Sequence, residues 1–132
     1  MKDRKVILST LWIFAMFNYI YADISSFMEP GMLEKYMTGS VGGLQITPGL
    51  QLAGAILMET AIAMVLLSRV LKYRANRWAN IIVGIIHTVA VLASIVAVGE
   101  VPAPYYIVHI IFEVACTLFI IWYAWTWPKQ EA

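Results

Sequence analysis

Four long apolar runs, separated by polar or turn-forming stretches, set the pattern of the chain; they cover residues 6–28, 49–70, 79–98 and 104–127. Each is about 20 residues or more, the length at which an α-helix crosses roughly 30 Å of hydrocarbon. The spacing predicts an all-α fold, a four-helix transmembrane bundle forming a single domain over residues 1–132. Glu29-Pro30-Gly31 stops the first run, and Val101-Pro102-Ala103-Pro104 makes a tight connection before the last. Between the first two runs lies a loop, residues 29–48, rich in Pro and Gly. Its middle, residues 32–37, is amphipathic, the pattern of a small helix at an interface. A connection of this length between packed helices is often functional, for instance a lid.

Polar residues inside the apolar runs recur at helical spacing. His109 and Glu113 stand four residues apart and share a face, as do Tyr19 and Asp23. Asn18 points away from Asp23. Asn80, Gly84, His87 and Ser94 make a narrow stripe of polar and small residues on the third run. Counting helical rise puts Glu59 about 15 Å and Glu113 about 14 Å from the end that carries the long loop, with His87 near mid-depth. The expected arrangement is therefore a layer of Asn18, Glu59, His87 and Glu113, one from each helix. A second layer of Asp23, Gln51 and His109 is expected nearer the loop. Ionisable groups at membrane depth are costly and rarely face lipid, so these six or seven residues are the candidate ligand- or proton-binding set.

Charge sets an expected orientation. Lys2, Arg4, Lys5, Arg69, Lys72, Arg74, Arg77 and Lys129 fall at the end bearing the termini, and Lys35 alone at the other, so eight of nine basic residues lie on one side. The positive-inside rule then puts both termini in the cytoplasm and the 29–48 loop outside. MKDRK followed by an apolar run, with Ala22 as a small residue, has the look of a secretory signal. The reading adopted is a retained signal anchor, because the polar cluster needs this helix.

Composition agrees with a bilayer as the surrounding partner: 61% of residues are hydrophobic and 13% charged, against a soluble average of roughly 45–50% apolar. A net charge of +1 gives no sign of a nucleic-acid partner. The lone Cys116 has no intrachain partner and reads as a packing residue. Arg69, Lys72, Arg74 and Arg77 read as topology determinants. Small residues (Gly49 with Ala53, Ala90 with Ser94) permit close helix approach, either within the bundle or in a homo-oligomer.

Four readings of the polar cluster stay open. It can simply lock the helices together, or serve a structural or partner-binding subunit. It can bind or transport a small molecule, ion or proton, with His87 and His109 exchanging protons near neutral pH. Glu59, His87, His109 and Glu113 form a donor set suited to Zn or Fe, but His109 and Glu113 lack the Glu-x-x-His spacing of di-iron bundles, and no metal or cofactor is expected. Last, an acid–base pair could act on a lipid-like substrate, although no nucleophile motif, phosphate loop or nucleotide fingerprint is present.

The stretches NYIYADISSFMEPG, GGLQITPG, ILMETAIAMVLLSRVLKYRANRWAN and IIHT resemble a bacterial family of small four-helix membrane proteins known only as a domain of unknown function. That resemblance implies four helices and a multi-pass bacterial inner-membrane location, and it carries no activity. The chain is DoxX-like in size and topology only. Small multidrug transporters are similar in length, but carry an acid midway along their first helix, where this chain has none. The most specific reading is a small-molecule or ion site opened toward the loop side.

Overall fold

The computed structural model describes residues 3–131. Four long helices, α1 (Arg4–Met28), α3 (Pro48–Val70), α4 (Tyr73–Val98) and α5 (Pro104–Trp125), form the bundle. A short α2 (Met32–Thr38) and a two-stranded hairpin, β1 (Ser40–Val41) with β2 (Leu44–Gln45), fill the connection between α1 and α3. All four long helices have the length and apolarity to cross a membrane. They close a ring: α1 packs against α3 and α5, and α4 against α5 and, less extensively, α3.

Local chemistry explains the helix ends. Asp3 and Thr47 cap α1 and α3 by accepting from the backbone N–H of Lys5 (2.9 Å) and Leu50 (3.1 Å). Pro48 and Pro104 stand in the first turns of α3 and α5, where no amide donor is needed. The basic run expected to separate two helices is mostly helical, since YRANRW holds neither Gly nor Pro. Only Leu71 and Lys72 interrupt the path from α3 to α4, so α4 starts at Tyr73 and not near residue 79.

The basic residues at this end do more than mark a side. Arg4 donates to the Tyr123 carbonyl at 2.7 Å, and Arg77 donates to the carbonyls of Ala124 (3.2 Å) and Trp125 (2.9 Å). These are last-turn carbonyls of α5, which lack partners within their own helix. The guanidinium charge also suits the negative end of the helix dipole. Tyr73 donates to the Trp127 carbonyl at 2.7 Å, which ties the chain beyond α5 to the start of α4.

Along α1 the buried positions other than Ser9 are Leu8, Trp12, Ala15, Tyr19, Ala22 and Ser26, alternating in steps of three and four. The bundle mixes polar side chains into its apolar core and is apolar outside. Ser9, Ser68, Asn76, Asn80, His87 and Thr117 are buried, while Ile13, Phe17, Ile20, Ile56, Leu66 and Val96 are exposed. Water does not favour this arrangement, and hydrocarbon does.

The α1–α3 connection lies over the ends of α4 and α5 opposite the termini, the loop end. Gly43 N–H donates to the Val98 carbonyl at 2.8 Å. Gly42 has φ +56°, and a Cβ there would run into that same carbonyl oxygen, so the Gly-Gly turn is required both for its backbone angle and for its close approach. Tyr105 donates to Glu29 Oε2 at 2.6 Å, and Lys35 pairs with Glu100 at 3.5 Å.

Candidate functional site

Two groups of buried polar side chains occupy the bundle, and their hydrogen bonding differs. Toward the termini, Trp12 Nε1 donates to Asn80 Oδ1 at 2.7 Å, and Ser68 donates to the same oxygen at 3.3 Å. Asn80 Nδ2 donates to the Asn76 carbonyl (2.9 Å) and to Asn76 Oδ1 (2.7 Å), while Asn76 Nδ2 donates to the Ser68 carbonyl at 2.6 Å. Three helices are joined, and Asn76, Asn80 and Ser68 are fully buried.

Toward the loop end the bundle opens into a cavity of about 170 Å³. Its polar lining comes from Tyr19 and Asp23 on α1, His87 and Ser94 on α4, and Tyr106 and Glu113 on α5. Leu57 and Met58 of α3, with Val91 and Ile110, supply apolar wall. Asp23 and Ser94 are exposed and lie at the rim, whereas Glu113 is 5% and His87 1% exposed. Spacing explains the convergence: Tyr19, Ala22 and Asp23 share a face of α1, and Tyr106, Ile110 and Glu113 share a face of α5.

His87 is held from both sides. Its Nε2 is 2.9 Å from Thr60 Oγ1 and its Nδ1 is 3.1 Å from Tyr19 Oη. The Thr60 hydroxyl donates to the Leu57 carbonyl at 2.6 Å, and a carbonyl can only accept. Thr60 oxygen therefore accepts from His87 Nε2–H, which leaves Nδ1 as an acceptor, and the Tyr19 hydroxyl donates to it. The hydrogen-bond directions assign the neutral tautomer protonated on Nε2. The Tyr19 ring also stacks on His87 at 5.5 Å, and the Trp12 indole meets its edge at 5.4 Å, so the imidazole separates the two polar groups.

Glu113 is different. Among the described residues its carboxyl has no hydrogen-bond or ion-pair partner, and neither oxygen is sealed from the cavity. Buried carboxyl groups normally have partners.

A second space of about 230 Å³ lies beneath α2 and the hairpin, lined in part by Glu29, Lys35, Tyr36, Glu100 and Tyr105. Ser94 and Tyr106 belong to both linings, so the two spaces meet at that pair. The amphipathic stretch expected at residues 32–37 is the helix α2 that roofs this vestibule.

The expected layer of Asn18, Glu59, His87 and Glu113 does not form. His87 and Glu113 line the cavity, and Asp23, expected in the other layer, joins them. Glu59 and Gln51 are exposed on the outside of α3. The buried positions of α3 are Ala61, Met64 and Ser68, and Glu59, two residues before Ala61, is rotated from it by about 200° on a helix. Asn18 and His109 form a separate pair across the α1–α5 seam, His109 Nδ1 lying 3.4 Å from Asn18 Oδ1. Neither Tyr106 nor Thr60 is among the residues the sequence pattern singles out; the step of seven from Tyr106 to Glu113 was the available signal for the first. Cys116 is buried, with its Sγ 3.3 Å from the Leu11 carbonyl, as a packing residue. Among the described residues no three His, Cys, Asp or Glu side chains converge as a metal site would need.

These features define an all-helical protein with four membrane-length helices and a polar chamber among them. The chain belongs to the family described as "Family of unknown function (DUF6326)", which it matches over residues 1–132. No curated protein and no solved structure matches it.

Proposed function

We propose that this is a multi-pass protein of the bacterial inner membrane that binds or transports a small molecule, ion or proton in the chamber beside Glu113. The observation that carries the proposal is the Glu113 carboxyl, 95% buried (5% exposed) and unpartnered among the described residues, facing a cavity that adjoins the loop-end vestibule at Ser94 and Tyr106. A carboxyl serving only to lock helices would be expected to contact another helix, as Asn80 does. The charge bias supports cytoplasmic termini, so the vestibule faces outside and the ligand enters between Ser94 and Tyr106.

Cysteine accessibility tests this. In a Cys116→Ser background, Glu113→Cys is expected to react with a small water-soluble methanethiosulfonate added from outside, while Ser68→Cys, in the sealed group, stays unlabelled over the same time. Equal protection of both positions, in protein whose helical content is unchanged, would overturn the proposal.

A further inference from the structure

We infer that the ligand of this chamber is a small primary ammonium cation, an assignment that rests on the proposed binding role and adds its chemical class. Two hydroxyl groups of the chamber wall have their protons committed elsewhere. Tyr19 gives its proton to His87 Nδ1, so toward the cavity its oxygen offers only lone pairs. Ser94 gives its proton to the Val91 carbonyl at 2.7 Å, and its oxygen is left in the same condition. An ionised carboxylate accepts only, and a cation bound between them would hold Glu113 and Asp23, the two acids of the lining, in that form. The lining holds no Lys or Arg; the nearby Lys35 lies in the vestibule, paired with Glu100.

Tyr106 is the one lining hydroxyl with no hydrogen bond among the described residues, so the walls present two carboxyl groups, acceptor oxygens and a single neutral donor, and no cation to balance an anionic ligand. The complementary guest carries positive charge and several N–H donors, which describes a primary ammonium with three. The buried Glu113 is the counter-charge, and such a guest supplies the partner that its carboxyl does not find among the described residues. Leu57, Met58, Val91 and Ile110 form an apolar wall suited to a short hydrocarbon tail. At about 30 Å³ per water-sized unit, the chamber holds a guest of about five or six non-hydrogen atoms. A bare metal cation would leave the apolar wall unused and would find no convergent set of three ionisable ligands among the described residues.

Calorimetric titration of the purified protein in lipid nanodiscs with four probes tests the assignment: butylammonium, butanol, butyrate and potassium. Binding of butylammonium alone is expected, and Glu113→Gln should weaken it by at least about tenfold, as loss of a charge-assisted contact does. The probe series on the unmodified protein does not depend on any variant folding, and circular dichroism checks the variant. Equal binding of butanol would make the site neutral, binding of butyrate would reverse its polarity, and equal competition by potassium would make the cation inorganic; each overturns the assignment. Absence of butylammonium binding in protein whose Glu113→Cys form labels would overturn the ammonium class and leave the chamber intact. Absence of both would remove the binding role as well.

Discussion

The two polar groups of this bundle use similar residue types to opposite ends. In the group toward the termini, Trp12, Ser68, Asn76 and Asn80 use their donors on one another and on backbone carbonyls, and all four are fully buried. In the group toward the loop, Tyr19 and Ser94 turn their donors away from a cavity that the Glu113 carboxyl faces without a partner among the described residues. A polar side chain among apolar helices is therefore not itself a mark of function. The mark is a polar group left without a partner where partners were within the fold's reach to provide.

This contrast can be broken by substitution. The largest loss of stability is expected for Asn80→Leu, which keeps volume but strands Trp12 Nε1–H and Asn76 Oδ1; about 2–3 kcal/mol should be lost, read as a lower unfolding midpoint with butylammonium affinity per folded molecule unchanged. His87→Phe joins the two halves in one experiment. It removes the bonds to Thr60 and Tyr19, costs about 1–2 kcal/mol, and frees the Tyr19 proton to face the chamber, so calorimetry should also record weaker butylammonium binding. Tyr105→Phe, which removes the bond to Glu29, should cost about 1 kcal/mol or less and show itself as faster amide exchange confined to α2 and the hairpin. Glu113→Gln should change the unfolding free energy by no more than about 0.5 kcal/mol, because no protein contact is lost. A fall comparable to that of Asn80→Leu would place Glu113 with the sealed group and erase the distinction. Glu59→Leu, on the exposed face of α3, should have the smallest effect on the isolated fold and none on binding.

Depth along each helix was legible in the sequence, because a helix rises by a constant amount per residue and Pro and Gly mark its ends. The rotation of each helix about its axis was less so. On α1 the steps Leu8, Trp12, Ala15, Tyr19, Ala22 identify the inner face, and they correctly set Tyr19 and Asp23 together. On α3 nearly every residue is apolar or small, so amphipathicity gives no face, and the mid-depth acid Glu59 drew attention although Ala61, Met64 and Ser68 are the residues turned inward. Asn18 and His109, expected in different layers, meet each other away from the cavity, so for this pair the depth count was off as well as the azimuth. The role of Arg4 and Arg77 depends on how the end of α5 sits beside α1 and α4, a tertiary fact that no local pattern records.

At Gly84 a single added methyl group would come within 2.8 Å of Ile121, and nearby the hydroxyls of Thr88 and Thr117 stand 2.7 Å apart, so α4 and α5 meet without slack. By contrast residues 48–56, the first half of α3, are exposed throughout. It follows that the α4–α5 seam tolerates no added volume, whereas the early turns of α3 have room for it: a side chain in place of Gly54 would meet nothing.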